Sequence, residues 1–176
     1  MKSALLVVDI VNDFVSGIFG SENSTEVSIR ISDFLRLANG KADVIFTLDT
    51  HIPNDPEFKV WGEHCLIGTW GSQQVDSLKG VPGYRITKRH FDAFHDTDLD
   101  GYLRANGIGS LYIFGISTDI CVLHTAAGAF FRYYDINVIS DLCGSISPER
   151  HLEALAFMKR NYGARILTSK EALEEI

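Results

Sequence analysis

Short apolar runs alternate with segments of helical periodicity along the chain. Because the apolar runs are nearly continuous rather than alternating, they are typical of strands buried on both faces of a parallel sheet. Strands separated by helices place those helices on both faces of that sheet. The pattern therefore predicts an α/β fold, a three-layer α/β/α arrangement around a six-stranded, mainly parallel sheet. The predicted strands are Ala4–Val8, Asp43–Leu48, Tyr84–Thr87, Leu111–Phe114, Ile136–Ser140 and Arg165–Thr168, and the predicted helices are Glu26–Asn39, Leu99–Asn106, Val122–Tyr133, Pro148–Tyr162 and Lys170–Glu175.

The size and charge of the chain narrow the function classes. A chain of 176 residues fits one domain with one core, which we expect to span residues 1–176. Its net charge of −7 argues against a nucleic-acid partner, because nothing offsets phosphate repulsion. No apolar run reaches membrane-spanning length, so no membrane association is expected. The first residues enter a strand without a signal-peptide pattern, which predicts a cytoplasmic protein.

Cysteine usage agrees with a reducing compartment. The three cysteines, Cys65, Cys121 and Cys143, are an odd number at irregular spacing, which indicates free thiols rather than a disulfide framework. Residues 51–83 form the one long stretch without clear periodicity. A loop of that length inside a compact domain is usually functional.

Four chemically capable residues follow predicted strands. Asp9, Asp49 and Lys88 come directly after the first three, and Cys121 follows the fourth by a short turn. Since ligands of open parallel sheets bind beyond the carboxyl ends of the strands, we expect these residues to share one crevice. Each also has an ordinary interpretation, as a turn former, a solvated lysine or a small buried residue. Their joint occurrence favours a site.

This set suits acyl transfer. Cys121 lies at a strand-to-helix turn, where free N–H groups and the charge of Lys88 favour a thiolate that attacks a carbonyl. Asp9 would take the thiol proton and later return it to the leaving amine. Backbone N–H groups near Ser117 and Cys121 are candidates for an oxyanion hole.

A second set of residues suits a metal ion. Asp49 and His51 leave the same strand end, and His64 follows in the irregular region. One carboxylate and two imidazoles can bind zinc, iron or manganese and leave positions open, although histidines in polar loops are often only solvated. We interpret Cys65 and Cys143 as structural.

Aromatic residues near these segments could line a pocket for a flat substrate. The candidates are Phe14, Trp61, Phe94 and Trp70. Ordinary core or loop packing is the alternative for each of them.

Taken together, these segments resemble the isochorismatase-like cysteine hydrolases and, within them, the nicotinamidase/pyrazinamidase group. The resemblance runs through nearly the whole chain in the same order. The segments that carry it are Ala4–Phe14, Asp49–His51, Trp61–Cys65, Lys88 with Asp92–Phe94 and Thr97–Leu99, and Gly115–Val122.

The resemblance implies site residues and a cofactor. It implies a triad of Asp9, Lys88 and Cys121 and a cis peptide bond between Ile116 and Ser117 that directs the Ser117 N–H into the oxyanion hole. It also implies a divalent metal, zinc before iron or manganese, at Asp49, His51 and His64, where the ion would anchor the pyridine nitrogen of nicotinamide. A homo-oligomer is expected on the same ground.

Some positions depart from the group. Val11 occupies a position where the family commonly has glutamine, and Ile120 one where nicotinamidases often have an aromatic residue or histidine. Asp55 replaces a further histidine that is often present and could still bind the metal. Residues 94–97 resemble the broader family, including N-carbamoylsarcosine amidase-like members. The expected activity is hydrolysis of a small carboxamide, nicotinamide first, through a thioester. The alternatives are hydrolysis of another small amide or ureido compound, such as an N-carbamoyl amino acid, or, outside enzymes, a redox-reactive thiol or a binding domain.

Overall fold

Six parallel strands form one sheet in the computed structural model, which describes residues 2–176. Met1, the first residue of the predicted domain, lies outside the described residues. The prediction of a mainly parallel six-stranded sheet is confirmed, and every strand pair is parallel. The strands are β1 (Lys2–Val8), β2 (Asp43–Asp49), β3 (Tyr84–Lys88), β4 (Ile108–Ile116), β5 (Asp135–Gly144) and β6 (Arg165–Leu167).

The strand order fixes where a ligand can bind. The order across the sheet is β3-β2-β1-β4-β5-β6. The chain therefore builds outward from β1 to β3 and then crosses back to place β4 on the other side of β1. A reversal of this kind opens a crevice beyond the carboxyl ends of the two central strands.

Helices cover both faces of the sheet. Helix α2 packs against β4 and β5, whereas α6 and α7 contact each other and β5. Within residues 2–176 no helix has both the length and the apolar character needed to cross a membrane. The helices are α1 (Asn12–Val15), α2 (Glu22–Leu37), α3 (Phe58–Trp61), α4 (Asp76–Lys79), α5 (Leu99–Ala105), α6 (Leu123–Phe130), α7 (Pro148–Tyr162) and α8 (Ser169–Glu175).

Two features of the helices differ from the sequence prediction. Helices α1, α3 and α4 are single turns of four residues, too short to show a periodicity in sequence. The helix predicted to begin at Val122 is preceded by a π-helical turn over Thr118–Val122, and this turn carries Cys121. π-Turns of this kind are frequent at functional sites.

The centre of the core lies along β1 and β4. Residues Ala4–Val8 of β1 are at most 1% exposed, because helices cover both faces of this central strand. Phe114 of β4 packs edge-on against Phe34 of α2, with ring centroids 5.5 Å apart. This packing fixes the two strands whose ends border the crevice.

Gly115 allows β1 and β4 to pair closely next to that crevice. It lies opposite Val8 with a φ of 138°, in the region that favours glycine. A Cβ atom at this position would lie 2.0 Å from the carbonyl oxygen of Val8. No side chain fits there without separating the two strands.

We therefore expect Gly115→Ala to lower the free energy of unfolding by about 2–4 kcal/mol, through the clash and the positive φ. Urea denaturation followed by circular dichroism measures the change. The control is Gly101→Ala in α5, where a Cβ meets no atom within 4 Å and alanine is the better helix former. Equal stabilities of the two variants would contradict this account of the strand pairing.

Candidate active site

Four neighbouring strands each bring one reactive side chain to the same edge of the sheet. Lys88 ends β3, Asp49 ends β2, Asp9 follows β1, and Cys121 lies in the turn after β4. All four are buried. The structure thus brings together the residues that the sequence placed at strand ends.

The Lys88 ammonium group is the centre of this cluster. Its Nζ lies 2.7 Å from Oδ2 of Asp9, 3.1 Å from Oδ1 of Asp49 and 3.7 Å from Sγ of Cys121. Burial alone would lower the pKa of Lys88, but the carboxylates of Asp49 and Asp9 outweigh it and raise that pKa well above its usual value. Lys88 therefore stays positively charged inside the protein.

Two hydrogen bonds to Thr47 hold the side chain and the backbone of Asp9. Its Oδ1 accepts a hydrogen bond from the Thr47 hydroxyl at 2.8 Å, and its backbone N–H donates to the Thr47 carbonyl at 3.1 Å. Burial raises the pKa of Asp9 above its usual value, although Lys88 and Thr47 act against the rise. A carboxylate with a raised pKa is a better proton acceptor than an exposed one.

The environment of Cys121 corrects one expectation from the sequence. Burial raises the pKa of its thiol well above the usual value, and the carboxylates of Asp9 and Asp49 act in the same direction, against the lowering effect of Lys88. The resting side chain is therefore a thiol and not the thiolate that the turn and Lys88 alone suggested. The Asp9 carboxylate shares the Lys88 ammonium group with this sulfur, so it is the nearest candidate to accept the thiol proton.

The turn before Cys121 is fixed by hydrogen bonds. The Ile116–Ser117 peptide bond is cis, as the resemblance implies. The Ser117 hydroxyl and the Ser145 hydroxyl each donate to Oδ1 of Asp119 at 2.7 Å. Asp119 thus ties the turn to the end of β5. Sequence reasoning did not single out Asp119, although it lies inside the nucleophile motif.

Two histidines and two carboxylates surround a point next to this cluster. The ligand atoms of Asp49, His51 and His64 all lie within 4.8 Å of one another. Oδ2 of Asp49 is 3.0 Å from Nε2 of His51 and 3.7 Å from Nε2 of His64. Oε1 of Glu57 lies 3.9 and 3.8 Å from the same two nitrogens. Glu57, which sequence reasoning missed, therefore completes a set of four donors.

Outer contacts orient the two imidazoles. Nδ1 of His64 lies 2.8 Å from the Gly62 carbonyl, which can only accept, so Nδ1 carries the proton and Nε2 is free for a metal. Nδ1 of His51 lies 3.2 Å from Oδ2 of Asp55. Asp55 therefore contacts the side of the His51 ring opposite to Nε2, and it also pairs with Arg89 at 3.3 Å. Glu57, and not Asp55, lies on the Nε2 side with the other candidate ligands.

This donor set fits a divalent transition metal. Two imidazole nitrogens and two carboxylate oxygens suit zinc, iron or manganese. Burial, and then the negative charge of Asp49, raise the pKa of the Glu57 carboxyl, so its ionised form would gain from a further positive charge. A cation at this point would supply it.

A largely apolar cavity of about 150 Å³ connects the two clusters. Cys121 and Ser117 lie at one part of its wall, and Asp49, Glu57 and His64 at another. Apolar side chains form most of the remaining wall: Phe14, Phe19, Trp61, Phe91, Ile116, Ile120 and Ile146.

The aromatic predictions hold in part. Phe14 and Trp61 line the cavity. Phe94 does not, because it is buried against Tyr134, with ring centroids 5.7 Å apart, and beneath Arg132. Phe91, three residues earlier, lies on the cavity wall instead. Trp70 is 56% exposed and also lies outside it.

The chain is similar to known proteins both in sequence and in fold. Residues 3–171 match the model of the isochorismatase domain. The crystal structure of N-carbamoylsarcosine amidase from Thermoplasma acidophilum superimposes with a TM-score of 0.88 at 35% identity, covering 96% of this chain and 97% of that one. The crystal structure of the pyrazinamidase of Pyrococcus horikoshii in complex with zinc superimposes with a TM-score of 0.87 at 29% identity. The match covers 96% of this chain and 99% of that one.

The curated relatives agree with the solved structures. The nicotinamidase/pyrazinamidase of Mycobacterium tuberculosis is 30% identical over 176 residues, which cover 89% of this chain and 94% of the relative. The family model and these relatives extend over nearly the whole described chain, including all four strand ends. The chain belongs to the isochorismatase family.

Proposed function

We propose that this protein is a cysteine amidohydrolase that converts a small uncharged carboxamide, nicotinamide first, to the acid and ammonia through a thioester. The observation that carries the proposal is a thiol and a carboxylate that both contact the Lys88 ammonium group, at 3.7 and 2.7 Å, at the wall of a ring-sized cavity. The relatives that act on amides support it. A cytoplasmic location and a homo-oligomeric state stay predictions from the sequence.

In the first half of the reaction the sulfur of Cys121 attacks the amide carbonyl carbon while its proton passes to the Asp9 carboxylate. The negative charge that develops on the carbonyl oxygen is accepted by the backbone N–H groups of Ser117 and Cys121. The carbon–nitrogen bond then breaks, and Asp9 gives its proton to the departing nitrogen. Ammonia leaves and a thioester remains on Cys121.

The second half reverses the roles. Asp9, again a carboxylate, takes a proton from a water molecule as that water attacks the thioester. The carbon–sulfur bond breaks, and the sulfur regains a proton from Asp9. Lys88 stays charged throughout and keeps Asp9 oriented, with its Nζ at 2.7 Å.

The metal cluster would orient the substrate from the other part of the cavity. Asp49, His51, His64 and Glu57 would hold a divalent ion, zinc before iron or manganese, and that ion would supply a Lewis-acid site for a ring nitrogen. The apolar walls exclude water around a flat ring. A cavity of about 150 Å³ is large enough for one six-membered aromatic ring.

The charges on the cavity wall favour a neutral substrate. Its described lining includes the carboxylates Asp49 and Glu57 but no lysine or arginine. The carboxylate of an N-carbamoyl amino acid would lose its hydration there with no cationic side chain to pair with, and only the proposed metal ion would offset that loss. We therefore place the aromatic carboxamide ahead of the ureido acid, although the amidase acting on N-carbamoylsarcosine is similar in sequence.

We expect Cys121→Ala to lower kcat for nicotinamide by at least about 10³-fold while the protein stays folded, because no other thiol lines the cavity. Ammonia release measures the rate, and circular dichroism checks the fold. Cys143→Ala is the matched control, since Cys143 is also buried but donates to the Ile139 carbonyl on β5. Activity of Cys121→Ala close to that of the control would refute the nucleophile.

We expect Glu57→Gln to weaken the binding of zinc at the buried metal cluster at least about tenfold. His51→Ala should weaken it further, because each variant loses a metal ligand. Equilibrium dialysis with elemental analysis gives the affinities. Glu63→Gln is the control, an exposed carboxylate next to His64 with no part in the cluster. Equal affinities for Glu57→Gln and this control would remove Glu57 from the site.

We expect kcat/KM for nicotinamide to exceed that for N-carbamoylglycine and N-carbamoylsarcosine by at least about 100-fold, the scale set by one unpaired buried charge. Ammonia release at equal substrate concentration measures the ratio. A ratio below one would assign the ureido acids as substrates and leave the roles of Asp9, Lys88 and Cys121 in place.

A further inference from the structure

A second group of metal-binding side chains lies on the segment that follows β3. This segment leaves Lys88 and places Phe91 on the cavity wall. His90, His95 and Asp96 lie on its solvent side, with side chains 39%, 58% and 81% exposed. None of these three residues has a part in the proposed reaction.

The three side chains converge on one point. Nε2 of His90 is 3.8 Å and Nε2 of His95 is 3.7 Å from Oδ2 of Asp96. One ligand atom from each residue lies within 4.8 Å of the others, and the imidazole centroids are 4.4 Å apart. A tetrahedral ion at 2.0–2.1 Å from its ligands separates them by about 3.4 Å. Small rotations of exposed side chains are enough to close the difference.

Buried contacts hold the segment that carries these ligands. The Ala93 N–H donates to the Thr125 hydroxyl at 3.1 Å, and the Thr97 hydroxyl donates to the Ala93 carbonyl at 2.6 Å. Phe94 packs under Arg132. The backbone on which the ligands stand is thus ordered before an ion binds, which lowers the entropy cost of binding.

The donor types select the class of ion. Two imidazoles and one carboxylate suit zinc, nickel, cobalt or copper, whereas magnesium and calcium prefer all-oxygen sites. Without an ion, two neighbouring imidazoles share a single exposed carboxylate, an arrangement worth little to stability. The remaining coordination positions face solvent and would be filled by water.

We propose that His90, His95 and Asp96 form a second site for a divalent transition metal, separate from the buried donors Asp49, His51 and His64. This proposal does not depend on the proposed function. An ion at this site fixes the two ends of the segment that carries Phe91.

The test is zinc binding by the full-length protein after removal of metal with a chelator. In equilibrium dialysis we expect His51→Ala, which weakens the buried site, to keep one surface-bound zinc per chain. We expect the double variant His51→Ala/Asp96→Asn to lose that ion. Asparagine removes the charge but tolerates the positive φ of 53° at this position, so the backbone is preserved. The double variant His51→Ala/His124→Gln is the control, with an exposed histidine outside both clusters changed.

A second measurement identifies the ligands directly in the wild type. Diethyl pyrocarbonate modifies accessible imidazoles, and peptide mass analysis shows which ones react. We expect zinc to slow modification of His90 and His95 at least tenfold and to leave His124 unaffected. Equal modification with and without zinc, or zinc binding that Asp96→Asn does not change, would overturn the proposal. A failure of nicotinamide hydrolysis would leave both measurements interpretable.

Discussion

The buried ammonium group of Lys88 is the interaction on which the site depends. It lies between the carboxylates of Asp9 and Asp49, buried at the edge of the apolar core. Removal of one partner from a buried ion pair costs about 3–5 kcal/mol, because the remaining charge stays buried and unpaired. Without Lys88 two buried carboxylates would face each other. The lysine is thus required both for folding of this edge of the sheet and for the orientation of Asp9.

The strand order explains why a long side chain is needed here. Lys88 stands on β3, whereas Asp9 follows β1, and β2 lies between them. Neighbouring strands are about 4.8 Å apart, so the ammonium group has to reach across two such spacings. The path passes the end of β2, where Asp49 supplies the second carboxylate. Asp49 then uses its other oxygen to contact His51, which joins the nucleophile cluster to the metal cluster.

Much of this site could be predicted from the sequence, because strand ends are visible as the ends of apolar runs. Asp9, Asp49 and Lys88 follow from that rule alone, once a parallel sheet is assumed. Glu57 does not follow, since it lies in an irregular loop whose path has no periodic signal. The choice between Phe91 and Phe94 also depends on the path of a loop. Protonation of Cys121 depends on burial by the surrounding elements, which the motif does not show.

The segment that follows Asp9 holds the irregular region in place. Oδ2 of Asp13 accepts the Cys65 N–H at 2.7 Å, directly beside His64. Nδ2 of Asn12 donates to the Trp70 carbonyl at 2.8 Å. These two contacts hold the loop that brings His64 to the metal cluster.

The same segment supplies Asp9, the proposed proton acceptor, and part of the cavity wall. Asp9 begins it, and Phe14 lies on the cavity wall with its ring centroid 6.0 Å from that of His64. The proposed proton acceptor and the contacts that position the candidate metal ligand His64 therefore share one short stretch of backbone anchored to β1. A change in this stretch that moved Asp9 would also move the loop around His64. The two halves of the site thus share one structural support, although their side chains come from distant parts of the sequence.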